Sequence, residues 1–185
     1  SEEPLVSDNA EAIAKLGGIA DCFLMHNREI VNKIDDSVTR LIAGQEAVIR
    51  RARGYAPEPL LLTEQLPEIL GCGPEQKNTF CLVRGKHVFV SQHIGDLENL
   101  TTLEYYERMI NFYQRIFRVN PRLVAHDLHP AYLSTQYAQQ LGDVELVGVQ
   151  HHHAHIASCM VENRLKGPVI GIACDGTGYG TDGNL

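Results

Sequence analysis

Tryptophan is absent from this 185-residue sequence, and aromatic residues together make up 6% of it. Apolar residues reach 44%, enough for a buried core, which excludes wholesale disorder. No run approaches about 18 apolar residues, so no transmembrane helix is expected. Basic residues are the minority, 16 Lys+Arg against 23 Asp+Glu, and the formal net charge is −7. That balance argues against non-specific binding to nucleic acid or an anionic membrane. No Cys-x-x-Cys occurs. The five cysteines stand at 22, 72, 81, 159 and 174. An odd number at irregular spacing reads as reduced thiols of a cytosolic protein, not as a disulfide framework or a cysteine zinc site. The opening SEEPLVSDNAEAIAK has no long apolar stretch, so no secretory signal is expected there. Repeats and low-complexity tracts are also missing. The length suits one domain or parts of two.

Periodicity divides the chain near residues 56–66. Before that point, residues 8–25 read as a helix with Asp8 or Asn9 as cap, weakened by Gly17-Gly18. Residues 28–33 and 37–42 read as short strands, with Asp35-Asp36 in the turn between them. The stretch RRARGYAPEPLLL, 50–62, reads as irregular. After the boundary, residues 77–95 read as strand, turn and strand about Arg84-Gly85-Lys86. The strongest helix covers 101–117, with Leu103, Tyr106, Ile110, Tyr113 and Phe117 on one stripe. A strand at 122–129, a helix at 132–141, a strand at 145–150, a helix at 151–163 and a strand at 168–175 follow. That alternation is the signature of an α/β fold with a parallel or mixed sheet. The last 19 residues hold six of the sixteen glycines and end in GTGYGTDGNL. A strand entering a glycine-rich hairpin needs a partner strand, so the chain is expected to be part of a larger protein.

Four of the nine histidines fall within residues 151–155. His151 and His155 stand at i and i+4 on a predicted helix, so both imidazoles can reach one metal, while His152 and His153 are expected to point elsewhere. Neutral imidazole suits Zn²⁺ or Fe²⁺. The alternative is a helix N-terminus whose rings bond to backbone groups. Asp175 ends an apolar strand, and Gly176, Gly178 and Gly180 follow, as in a backbone cradle for phosphate or in a plain turn. His151, His155 and Asp175 together would form a two-histidine, one-carboxylate metal set. Asp127 and His129, in VAHDLHPAY, lie at the end of another predicted strand, where ligands gather in parallel sheets, or cap a loop together with His126. His93 and Asp96 read as structural. Ser37 and Asp36, with the arginines of RRARGY (Arg51 and Arg53 among them), could contact a nucleotide, or form a solvated basic patch.

The chain resembles the HypF carbamoyltransferases of nickel–iron hydrogenase maturation. The stretches that carry the resemblance are LGGIADCFLMHNREI, DDSV, RRARGYAPEP, KNTFCLVRGKHVFVSQHIGDLEN, HDLHPAYLST, VQHHHAHIAS and DGTGYGTDG. The resemblance implies the end of a YrdC-like α/β domain over 1–60, then the first part of an actin/sugar-kinase-like mixed-sheet transferase domain over 61–185. It implies ATP-dependent conversion of carbamoyl phosphate to carbamoyl-adenylate. Transfer of the carbamoyl group to the C-terminal cysteine of a HypE-type acceptor would follow, as a precursor of the cyanide ligands of the hydrogenase iron. It further implies a divalent metal (Zn or Fe) on His151, His155 and Asp175, and ATP with Mg²⁺. Asp175, His129 and Asp127 would be catalytic, and Asp175, Gly176, Gly178, Gly180, Ser37, Arg51 and Arg53 would bind nucleotide. A cytoplasmic enzyme with no nucleic-acid or membrane partner is expected. The alternatives are a relative of the tRNA threonylcarbamoyl transferases, which the charge does not favour, and a metal-binding fragment without turnover.

Overall fold

The computed structural model describes residues 5–176 and 178–184. Thr177 of the glycine-rich segment lies outside the described residues, as do the first four residues and Leu185. The chain divides into two compact units, residues 1–55 and 56–185.

The first unit holds a helix, α1 (Asn9–Leu16), and a hairpin of β1 (Val38–Ile42) and β2 (Gln45–Arg50). The Asp8 side chain caps α1 by accepting the Glu11 N–H at 2.9 Å. The helix expected over 8–25 stops at Leu16. Two consecutive glycines each cost about 1 kcal/mol against alanine in a helix, and no residue of α1 is buried to offset that. The strand expected at 28–33 does not form. Val31 is 70% exposed, and the described residues place no strand beside it. The hairpin turns through Ala43 and Gly44, both at positive φ (51° and 79°), the geometry that matches strand twist in a two-residue loop.

The second unit is built on a four-stranded sheet in the order β4-β3-β5-β6, with β3 (Leu60–Gly71), β4 (Cys81–Val90), β5 (Leu123–Asp127) and β6 (Glu145–Val149). β3 pairs antiparallel with β4 and parallel with β5, and β5 pairs parallel with β6. The sheet is therefore mixed. Its first strand overturns the irregular reading of residues 60–62. β3 carries Pro67 inside a bulged stretch: from Leu66 to Ile69 it advances three residues while β4 advances two. A bulge is where a strand can tolerate a residue with no N–H. With β3 as partner, β4 has no need to fold back on itself. It runs unbroken through Arg84-Gly85-Lys86, where a turn was expected, and Gly85 takes up the local irregularity at φ 61°. The strand expected at 168–175 is also absent. No strand pairs with that segment among the described residues, and Ile170 and Ile172 are 97% and 81% exposed.

α2 (Leu100–Phe117), α3 (Leu133–Gln140) and α4 (His151–Glu162) complete the unit. Asn99 caps α2 by accepting the Thr102 N–H at 2.9 Å. The apolar stripe of α2 then buries Tyr106, Met109, Ile110 and Tyr113. These close over Leu70, Leu82 and Val124 of the sheet and over Phe80. Phe80 meets Tyr106 and Tyr113 edge-on, with centroids 5.9 and 5.2 Å apart. The buried hydroxyls are satisfied: Tyr106 donates to the Cys72 carbonyl and Tyr113 to Gln92 Oε1, both at 2.9 Å. Each fully buried apolar side chain contributes about 1.5–3 kcal/mol, so this core fixes where β5 ends. No helix among the described residues is long and apolar enough to cross a membrane.

Candidate metal centre

β5 and β6 run parallel, and their last residues, Asp127 and Val149, stand opposite each other. One residue on, Gln150 caps α4, its side chain accepting the His153 N–H at 2.9 Å. His151 therefore opens α4 beside the end of β5. Asp127 is 9% exposed. Its Oδ1 accepts the His129 N–H at 2.9 Å, and its Oδ2 lies 2.7 Å from His151 Nδ1. The Asp127 carbonyl accepts the Thr135 hydroxyl at 3.0 Å, tying the strand end to α3.

One helical turn along α4, His155 brings its Nε2 to 3.2 Å from His151 Nε2. Asp175 Oδ2 stands 3.2 Å from His151 Nε2 and 3.1 Å from His155 Nε2. These three atoms form a nearly equilateral triangle. Donors about 2.0–2.2 Å from an ion stand about 3.3–3.6 Å apart in a tetrahedron and about 2.8–3.1 Å apart in an octahedron. The observed edges fall between the two. Two imidazole nitrogens and a carboxylate oxygen turned toward one point crowd their lone pairs unless a cation or a shared proton lies between them. The donor set thus fits a divalent Zn or Fe ion.

The second carboxylate oxygen corrects a sequence expectation. His152 does not point away: its Nε2 is 3.1 Å from Asp175 Oδ1. That contact depends on Asp175 and Gly178 lying against the start of α4, which helical spacing cannot show. A Cβ on residue 178 would stand 2.7–3.1 Å from the His152 ring atoms, so glycine there permits the close approach. Partial burial pushes Asp175 upward. Its own backbone N–H and the imidazoles of His152, His155 and His151 outweigh this, and the carboxyl lies below its usual range. His153 is exposed.

The other candidates are placed less directly. His129 stacks on Tyr132 at 4.2 Å and meets Tyr179 edge-on at 5.4 Å. It touches the cluster through its backbone N–H on Asp127 rather than through its ring. Both tyrosines escaped the sequence reading, although each lies within a stretch it quoted, HDLHPAYLST and DGTGYGTDG. Burial, then the charges of Asp127, Glu75 and Asp175, push the Tyr132 phenol up. Gly180 donates its N–H to the Asn184 carbonyl at 2.7 Å, closing a tight turn. Gly176 has open space around it. His126 Nδ1 lies 2.7 Å from the Asp127 carbonyl. Asp96 accepts the Lys77 N–H at 2.6 Å, a loop contact.

In the first unit, Ser37, Arg51 and Arg53 converge on one strand crossing. The Ser37 hydroxyl donates to the Arg53 carbonyl at 2.9 Å and accepts the Ala52 N–H at 2.8 Å. Arg53 reaches Asp36 at 3.3 Å, and Arg51 donates to the Tyr55 carbonyl at 2.8 Å.

A mixed α/β sheet with a histidine–aspartate cluster beyond its parallel strand ends belongs to the Kae1-like class: residues 64–162 match the family described as the HypF Kae1-like domain. The chain belongs to the HypF family. Carbamoyltransferase HypF2 of Cupriavidus necator is 49% identical to it over 98% of this chain and 23% of its own length. Carbamoyltransferase HypF of Rhizobium leguminosarum bv. viciae is 45% identical over 98% of this chain and 24% of its own. Among solved structures, full-length HypF in the phosphate- and nucleotide-bound form matches with a TM-score of 0.92 and 59% identity, covering 99% of this chain and 29% of that one. HypF of T. kodakarensis matches with a TM-score of 0.88 and 46% identity, covering 97% and 24%. The chain spans about a quarter of the length of these curated relatives.

Proposed function

We propose that this chain is the metal-holding part of a cytoplasmic carbamoyltransferase of nickel–iron hydrogenase maturation. The single observation that carries the reading is the triangle of His151 Nε2, His155 Nε2 and Asp175 Oδ2, with edges of 3.1–3.2 Å, in a chain of the HypF family. Residues 56–185 would be the first part of an actin/sugar-kinase-like transferase domain, and residues 1–55 the tail of a YrdC-like domain. In the whole protein, carbamoyl phosphate would be hydrolysed to carbamate and phosphate, and the carbamate would attack the α-phosphorus of ATP to give carbamoyl-adenylate with loss of pyrophosphate. A cysteine thiolate at the C-terminus of a HypE-type acceptor would then attack the carbamoyl carbon, and AMP would leave.

His151, His155 and Asp175 would hold a divalent ion, which would supply positive charge to offset negative charge on phosphate oxygens. The chain's own residues do the rest. His152 holds the outer oxygen of Asp175, which keeps the inner one turned to the histidines. Gly176, with open space around it, leaves the backbone there open to a phosphate. The His129 ring, stacked on Tyr132 and edge-on to Tyr179, stands next to Asp127, which its backbone N–H holds. In the first unit, the arginines beside Ser37 suit an anionic nucleotide. None of the five cysteines is needed as nucleophile, since the thiol comes from the acceptor.

The test is metal content and ATP binding of the purified chain beside a His151→Ala/His155→Ala variant. About one Zn or Fe per chain in the parent, and none in a folded variant, supports the reading. A folded parent that takes up no divalent metal sinks it. A second reading is a metal-binding module without turnover, which the donor set of His151, His155 and Asp175 alone would suffice for. Metal uptake without ATP binding would select it.

A further inference from the structure

We infer that Asp127 is a positioning residue that locks His151 into the tautomer able to hold a metal. The inference rests on the metal reading above and deepens it. A neutral imidazole carries its proton on one nitrogen, and only the other offers a lone pair. An ionised carboxylate accepts and cannot donate. Asp127 Oδ1 is taken by the His129 N–H, and Oδ2 lies 2.7 Å from His151 Nδ1. The proton of His151 therefore sits on Nδ1.

Burial makes this choice firm. The Asp127 side chain is 7% exposed and that of His151 17%, so water competes weakly for either group. With Nδ1 protonated, Nε2 is bare. That nitrogen faces His155 Nε2 and Asp175 Oδ2, each 3.2 Å away. Asp127 thus acts on the donor set through His151, offering no donor atom of its own. It sets which nitrogen is free, the plane of the ring and, through its negative charge, the basicity of the donor. The sheet fixes Asp127 in turn, because Asp127 closes β5 directly opposite the end of β6.

Asp127→Asn separates this role from a merely structural one. Asn is isosteric, and its Oδ1 can still accept the His129 N–H. Its amide nitrogen would then face His151 Nδ1 and donate, which forces the proton of His151 onto Nε2 and removes the lone pair from the cluster. The measurement is ¹⁵N imidazole NMR on the metal-free chain, at a pH high enough to leave the ring neutral, followed by Zn²⁺ affinity by chelator competition. In the parent, His151 should carry its proton on Nδ1. In Asp127→Asn it should move to Nε2, with Zn²⁺ binding weakened roughly 10–100-fold. A parent with a neutral His151 protonated on Nε2 overturns the inference, as does a folded variant with unchanged tautomer or unchanged affinity. If the variant fails to fold, the parent's tautomer alone decides. A parent with the expected tautomer but no affinity for Zn²⁺ supports the lock and removes the metal reading, so the two failures are distinguishable.

Discussion

The two walls of the histidine–aspartate cluster are built in opposite ways. One wall is the sheet end. Val124 is fully buried, Asp127 is nearly so, and His151 follows β6 by two residues. The other wall is residues 168–176, which have no regular structure, expose Ile170 and Ile172, and carry Asp175. Packing sets the first wall before any ligand arrives. The second is held by what it touches: Asp175 by three imidazoles, and Gly171 by its passage against the Ile156 side chain. A site assembled from one rigid and one pliable half can keep its donor geometry while letting one ligand give way.

Disturbing the core beneath the rigid wall should have the largest effect. Tyr106→Ala removes a fully buried ring and its hydrogen bond to Cys72, and should cost about 3–5 kcal/mol in urea unfolding. Ile170→Ala on the pliable wall should stay within about 0.5 kcal/mol. Equal losses would erase the contrast. Thiol labelling draws the same line. Burial pushes the Cys72 thiol up to about 12, so its thiolate fraction at pH 8 is roughly a thousandfold below that of a free thiol. Cys174, exposed beside Asp175, should react with a maleimide in the native state, whereas Cys72 should react only on unfolding.

Asp175→Asn should weaken Zn²⁺ binding by more than the roughly 10–100-fold typical of residues behind the ligands, with no change in Tm. A matching fall in Tm would mean that the pliable wall carries stability after all. The smallest effect belongs to Glu75, which accepts the Leu133 N–H at 2.7 Å as α3 begins. Burial pushes its carboxyl up, against the lowering by that N–H. Its contribution to stability is therefore present at low pH and lost as pH rises through the raised value. Glu75→Gln should flatten that slope in a pH series of Tm, and an unchanged slope would place its origin elsewhere.

The legible parts of this chain were those where sequence period and tertiary environment agree. α2 carries its buried stripe in plain 3.6 spacing. β5 and β6 are short apolar runs, the first closed by a turn and the second by the cap of α4. His151 and His155 meet because helical geometry alone brings i and i+4 together. The parts that could not be read depend on partners far away in sequence. β3 was hidden by Pro67, whose tolerance comes from a bulge against β4. The turn expected at Gly85 followed from not seeing β3. Residues 168–175 have the composition of a buried strand, yet pairing requires a neighbour as well as a composition. The contact of His152 with Asp175 and that of Asp127 with His151 both need chain segments more than twenty residues apart to arrive together.

That last contact makes the site a ruler. Asp127 closes β5 and His151 opens α4 two residues after the neighbouring parallel strand β6, and successive residues of a strand are about 3.3 Å apart. A slip of β6 by a single residue along β5 would move the imidazole by more than the 2.7 Å that separates it from the carboxylate, and would turn alternate side chains to the other face. Only one alignment of the two strands leaves His151 with a bare nitrogen facing Asp175. On the proposed metal reading, binding a cation would report that the sheet has closed in its proper frame, and a misaligned sheet would announce itself as a site that stays empty.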